Sequence, residues 1–265
     1  MSLFEFTTFR YLQIQIFTLT MLFCSSGTLA NETCLEMHVI QSVPQGFLDE
    51  KRNIVGIDFE VLQQLETYSG VCMAKRLMPI ARIWKSIEQG QHDGGLVFRS
   101  ANRDPLVVYA AFIRHAEIIA LPRKGLKIDS YEQLHKFSIA KTRGTPLNKR
   151  FDIENKVNVV EVTNYGQLLN MLRLGHIDVV AGSAEPIFYN LAKLKKNKKD
   201  IEVGEKFVLG SREKWLQFSR LSANLEHIPK LQKAVDLMKE KGDYNRIMMK
   251  YYGRGADSNE LLKLL

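Results

Sequence analysis

The sequence predicts an α/β fold arranged as two lobes, and three observations carry that reading. Short strand-like apolar runs alternate with segments whose apolar residues recur at helical spacing. The alternation begins afresh near Leu126, giving two units of similar size. The chain, less an N-terminal leader, keeps about 235 residues, enough for two modest lobes with proper cores. Strand–helix alternation of this kind predicts mostly parallel sheets flanked by helices.

In the first unit, Cys34 to Gln41 reads as a strand. Asp58 offers an N-cap to a helix carrying Phe59, Leu62, Leu65 and Tyr68, which Gly70 stops. A second strand runs from Val71 to Leu77, and a short helix marked by Ile83, Trp84 and Ile87 ends at Gly90. Gly94 to Phe98 and Glu117 to Leu121 complete the strands of this part. In the second unit, Phe137 to Lys141 is a strand and Gly144-Thr145-Pro146 turns the chain into a helix. Val157 to Val162 is a strand, followed by a helix that Asn164 caps and Gly175 closes, with Tyr165, Leu168, Leu169 and Leu172 on one face. Ile177 to Ala181 and Trp215 to Leu221 read as strands, and Ile228 to Lys241 and Tyr244 to Tyr252 as closing helices. The polar, then leucine-rich end from Arg254 to Leu265 is expected to fray.

The N-terminus has the layout of an export signal. Arg10 precedes the apolar run from Tyr11 to Phe23, and the small residues of Thr28-Leu29-Ala30 follow, so residues 1–30 are expected to be removed after Ala30. The run is shorter than the ~20 residues a bilayer span needs and is broken by Gln13, Gln15 and Thr18. A lipid anchor on Cys24 is disfavoured by the bulky Phe23 before it. The mature chain is therefore expected to be a soluble, periplasmic monomer with no membrane span. The formal charge of +8 is spread out, apart from Lys193, Lys195, Lys196, Lys198 and Lys199. That run lacks the interleaved aromatics that would stack bases, so nucleic acid is not an expected partner. Removal of the leader leaves Cys34 and Cys72, each opening a strand. If those strands are parallel neighbours the two cysteines meet as a disulfide; otherwise they are two small buried apolar residues.

Several short segments together resemble the bacterial extracellular solute-binding protein family 3, the type II periplasmic binding proteins. Gly56-Ile57-Asp58-Phe59-Glu60 is similar to the family's Gly-x-Asp segment. Pro79-Ile80-Ala81-Arg82 and Gly90-Gln91-His92-Asp93-Gly94 resemble the spacing of one branch, and Ser100-Ala101-Asn102-Arg103 stands where Thr-Pro-Glu-Arg is usual. Arg143-Gly144-Thr145 matches a Gly-Ser/Thr turn, Leu172 to Gly182 resembles the second Gly-x-x-Asp segment, and Lys239 to Gly253 looks like the closing helix pair. The likeness covers about Leu35 to Gly253. It implies a first lobe from 31 to 125, a second from 126 to 205, a return to the first from 206 to 253, a tail from 254 to 265, and a two-crossing hinge near Leu121 to Gly125. It also implies capture of a small polar, carboxylate-bearing solute for an ABC permease, or sensing of it for a membrane receptor. A dehydratase-like enzyme on the same fold is a third reading, with Glu185 as its one candidate acid.

The expected ligand contacts follow from side-chain chemistry. Arg103 presents a planar guanidinium to a carboxylate, unless it serves a surface ion pair with Asp104; Arg82 is a second cation. Gly144 and Thr145 offer backbone N–H groups at a helix start, unless Gly144 is merely a turn glycine. Ser100 belongs to the Arg103 segment. Ser183 stands where amino-acid-binding members place an aspartate for the ligand's ammonium. Ser42-Val43-Pro44-Gln45 replaces an aromatic wall that Phe98 and Tyr165 restore in part, if they are not core. No cofactor is expected: dinucleotide, phosphate-loop, Cys-x-x-Cys and zinc-protease motifs are all missing, and the six histidines are scattered.

Overall fold

Near-continuous burial along the inner strands, with apolar stripes on the helices, builds one sheet covered on both faces. The computed structural model describes residues 34–153, 158–197 and 201–252. The leader at 1–30, the tail at 254–265 and part of the lysine run lie outside the described residues. In chain order the strands are β1 (Leu35–Ile40), β2 (Phe47–Leu48), β3 (Ile54–Val55), β4 (Met73–Met78), β5 (Gly94–Phe98), β6 (Val107–Pro122), β7 (Ser138–Thr142), β8 (Asn158–Val162), β9 (Val179–Ser183) and β10 (Phe207–Ser219). The α-helices are α1 (Ile57–Ser69), α2 (Ile80–Glu88), α3 (Lys149–Ile153), α4 (Tyr165–Arg173), α5 (Ala184–Lys196), α6 (Ile228–Glu240) and α7 (Asp243–Tyr252).

Eight strands form a single sheet in the order β4-β1-β5-β10-β6-β9-β7-β8, and β2 and β3 form a small hairpin of their own. β1 pairs in parallel with β4 and β5, and β7 in parallel with β8 and β9. Between these parallel halves lie the long strands β6 and β10, antiparallel to each other along nearly their whole length. β10 pairs with β5 through Lys214–Phe218, and β6 pairs with β9 through Ile118–Pro122. The crossing between halves thus runs through the middle of β6, ahead of the 121–125 segment that the family resemblance implied. β6 is 16 residues long, and Pro122 already faces Val179 in the second half.

Each half has an apolar layer on both faces. Leu35, Met37 and Val39 of β1 pack with Val61, Leu62 and Leu65 of α1 and with Leu231, Val235 and Met238 of α6. On the opposite face, Ile40 and Val97 meet Ile83, Trp84 and Ile87 of α2. In the second half, Leu168, Leu169 and Leu172 of α4 cover one face with Ile187 of α5, while Leu134, Leu147 and Phe151 cover the other. Fully burying one such side chain is worth roughly 1.5–3 kcal/mol.

The parallel register of β1 and β4 sets Leu35 opposite Met73, so Cys34 and Cys72 stand side by side at the sheet edge. They form a disulfide with a Cα–Cα separation of 4.6 Å. The first helix starts otherwise than its sequence suggests: Gly56 is the N-cap, and Asp58 lies inside the first turn. The N–H groups of Ile57 and Asp58 instead donate to the carbonyls of Pro44 and Gln45, at 3.0 and 2.8 Å. Gly56 has φ 129°, and a Cβ there would come within 2.5 Å of the Gln45 carbonyl oxygen. Glycine is required at this close approach.

Candidate functional site

The halves meet in a cavity of about 680 Å³ lined from both sides. The first half contributes the turn after β1 (Gln41 to Leu48, with cis Val43–Pro44), the segment Pro79–Ala81 entering α2, and Phe98 at the end of β5. The second half contributes Thr142, Arg143 and Thr145 after β7, Thr163–Tyr165 entering α4, and Ser183 and Pro186 after β9. These are the C-terminal ends of parallel strands, where open α/β sheets place their ligands. Lys214 reaches the cavity from the crossing strand β10.

Of the expected ligand contacts, Phe98, Thr145, Tyr165 and Ser183 line this cavity. Tyr165 is both core and wall: its ring belongs to the second-half cluster, and its hydroxyl hydrogen-bonds with Thr142 and Ser183. Burial raises its pKa, against the effect of those hydrogen bonds. The Thr142 and Thr145 hydroxyls are 2.8 Å apart, which extends this polar floor.

Arg82, Ser100, Arg103 and Gly144 are not among the lining residues. Arg82 is exposed on α2 and Ser100 half-buried. The Arg103 guanidinium stacks 4.0 Å over the Trp84 ring, and its Nε lies 3.7 Å from Glu88. Burial lowers its pKa, with Glu88 opposing. The alternative pairing with Asp104 is not made either, because Asp104 engages Arg99 and the Tyr109 hydroxyl. Gly144 has φ 72°, and a Cβ there would lie 3.1 Å from Ala81 Cβ, so the turn can approach the first half only as glycine. The segment 144–146 does not start a helix directly. α3 begins at Lys149, with the Asn148 side chain accepting from the Phe151 N–H at 2.7 Å, and the Thr145 N–H donates to Thr142 O.

The structure also pairs Asp58 and Glu185 with two residues the sequence did not single out, Lys214 and Arg114. Lys214 and Asp58 form a buried ion pair at 2.5 Å, with side-chain exposures of 3 % and 1 %. Burial pushes the Asp58 carboxyl up and the Lys214 ammonium down, and their mutual attraction opposes both. Glu185 is buried away from the cavity and engages the Arg114 guanidinium through both oxygens. Burial alone would lower the Arg114 pKa, but Glu185 raises it well above its ordinary value. The one sequence signal was an arginine amid the apolar residues of β6; Lys214 lies in a mixed stretch of β10 that gives none. Gln45 lines the cavity with its side-chain Oε1 buried and unpartnered.

Two contacts tie the halves across the cleft mouth. Arg212 of β10 donates to the carbonyl oxygens of Pro146 in the second half and Arg99 in the first. The Asn190 side chain on α5 donates to Val43 O at 3.4 Å. Among the described residues no group of three or more His, Cys, Asp and Glu side chains is arranged to hold a metal, and no helix is long and apolar enough to cross a membrane.

The architecture is shared with solved two-lobed binding proteins. An arginine-binding protein of T. maritima superposes with a TM-score of 0.68 at 19 % identity, over 83 % of this chain and 95 % of that one. A histidine kinase sensor domain similar to periplasmic binding proteins gives a TM-score of 0.70 at 14 % identity, over 83 % and 96 %. An arginine-, lysine-, histidine-binding protein of Geobacillus stearothermophilus gives 0.65 at 16 % identity, over 87 % and 100 %. No protein-family model matches the sequence. No curated protein matches it either.

Proposed function

We propose that this chain, built on the fold of the two-lobed periplasmic binding proteins, captures a small carboxylate-bearing solute in the cleft between its halves. The observation that carries the reading is the 680 Å³ cavity itself, lined from both halves and spanned by two crossing strands. Bending of β6 and β10 would open and close it, the hinge motion by which such clefts take up ligand. Thr145, Tyr165 and Ser183 supply hydroxyls, Phe98 an apolar wall, and Arg143 positive charge, while Lys214 at the wall is paired with Asp58. Supply to an ABC permease is the role we favour; the likeness to a sensor domain supports ligand sensing for a membrane receptor as the second reading. The dehydratase reading loses support, since its one candidate acid, Glu185, is buried in a pair with Arg114. The leader and the Cys34–Cys72 disulfide support export to an oxidising compartment.

A broad panel of amino acids, organic acids and short peptides tests the binding reading by thermal shift. A ligand at 100 times its Kd stabilises the folded form by about 2.7 kcal/mol, and small-angle scattering should report a more compact molecule. A panel that leaves both melting temperature and scattering unchanged would overturn it.

A further inference from the structure

The chemistry of the cavity wall narrows the class of ligand. Among the described residues no aspartate or glutamate belongs to the lining, and its charged members are Arg143 and Lys214, the latter paired with Asp58 behind the wall. The carboxylates nearest the lining each face a cation of the protein: Asp58 meets Lys214 through Oδ1 alone, its Oδ2 being buried without a partner, Glu185 meets Arg114, and Glu161 lies 3.6 and 3.8 Å from Lys141 and Arg143. An ammonium group entering this cleft would lose its water and find no lining carboxylate to compensate it, with Arg143 at the wall and the Lys214 charge already matched by Asp58. A free α-amino acid carries such a group at neutral pH.

The wall is also strongly apolar. Val43, Leu77, Ile80, Phe98 and Pro186 face a space whose volume is within the range of drug-sized ligands. A ligand filling it needs an apolar body as well as an acid or amide group. Against this wall sits Gln45, only 8 % exposed, with an Oε1 that accepts no hydrogen bond. Its backbone is fixed, because Gln45 O accepts from the Asp58 N–H and Gly56 packs against it. Leaving such a buried acceptor unmade is unfavourable, and a turn of its side-chain amide toward the cavity that Gln45 lines would let a ligand N–H satisfy it.

From these three features we infer that the cleft selects an acid that lacks a free ammonium, carries an apolar body and offers an amide N–H, of the N-acylated amino-acid kind. Gln45 is its specificity-determining residue. The inference rests on the solute-binding reading above. Where an arginine-binding relative must accept a cation, this cleft excludes one.

Matched probes test it on the full-length chain by isothermal titration. N-acetyl-L-phenylalanine is compared with L-phenylalanine and N-acetyl-L-leucine with L-leucine, with 3-phenylpropionate as the ammonium-free control that has no N–H donor. The N-acetyl member of at least one pair should bind ten-fold or more tighter than its free amino acid, and N-acetyl-L-phenylalanine tighter than 3-phenylpropionate. Gln45→Leu should weaken that binding at least ten-fold, while its unliganded melting temperature stays at or above that of wild type, since an unpaired buried acceptor has been removed. Gln45→Met provides the same readouts with an unbranched side chain. Free amino acids binding as tightly as their capped partners, or Gln45→Leu and Gln45→Met binding like wild type, would overturn the inference and leave solute binding standing. Any other panel compound that binds is scored by whether it carries a free ammonium. Silence of these probes and of the whole panel would overturn solute binding and this inference together.

Discussion

Two buried titratable arrangements make opposite demands on the molecule. The Lys214–Asp58 pair joins the crossing strand β10 to the first turn of α1, directly behind the cleft wall. Removing one partner of a buried pair leaves an uncompensated charge and typically costs about 3–5 kcal/mol. Lys214→Met should therefore lower the stability measured by urea denaturation by that amount, and adding Asp58→Leu should recover much of it. His38 poses a different problem. It is 1 % exposed, neither ring nitrogen has a partner, and its ring lies 4.2 Å from that of His92. Burial, reinforced by His92 and Arg76 and opposed by Glu36, pushes its pKa down to about 4. Because the unfolded chain takes up this proton near pH 6.5 and the folded chain only near pH 4, stability is full above pH 6.5. It falls as pH drops through that window, by about 3 kcal/mol. Denaturation curves of His38→Phe at pH 7 and pH 4.5 should show a smaller acid loss than wild type.

At the scale of elements, the strands and helices were legible because each carries its period in its apolar residues. Leu62 and Leu65 on α1, and Leu168, Leu169 and Leu172 on α4, are all buried as their spacing requires. The disulfide followed from the same reading, since parallel neighbours align their starts. It closes a loop of 38 residues, for which the chain-entropy estimate is about 4 kcal/mol. Replacing both cysteines by serine should lower stability by about that much in chemical denaturation. What was not legible is equally physical. The strands Glu117 to Leu121 and Trp215 to Leu221 were read short, because polar residues such as His115, Glu117, Arg212 and Lys214 interrupt the apolar pattern in mid-strand. Those interruptions are where the crossing strands leave one core and enter the other. The cleft was half legible. Phe98 and Ser183 end strands, and Thr145 and Tyr165 lie just beyond strand ends, on the edge of the sheet where the cavity lies. Arg103 was chosen for its chemistry, and its contact with Trp84 and Glu88 depends on a tertiary packing that spacing does not reveal.

At the scale of the whole molecule, the halves are joined in the sheet through one late strand. β5 and β6 are not paired with each other; β10 lies between them, and Lys214 faces Phe98 across 116 positions of sequence. This arrangement dictates an order of assembly. Synthesis from the N-terminus delivers β1, β4 and β5 first, yet the inner edge of that sheet has no partner until residues 207–219 have emerged. Residues 118–183, by contrast, contain all the partners of β7, β8 and β9 in one stretch. The second half should therefore condense early, and the first half should wait with an open β5 edge, the kind of exposed strand that recruits neighbouring chains. A chain truncated before β10 would keep that edge for good. Misassembly of this protein should therefore begin at β5, far in sequence from the residues whose loss provokes it.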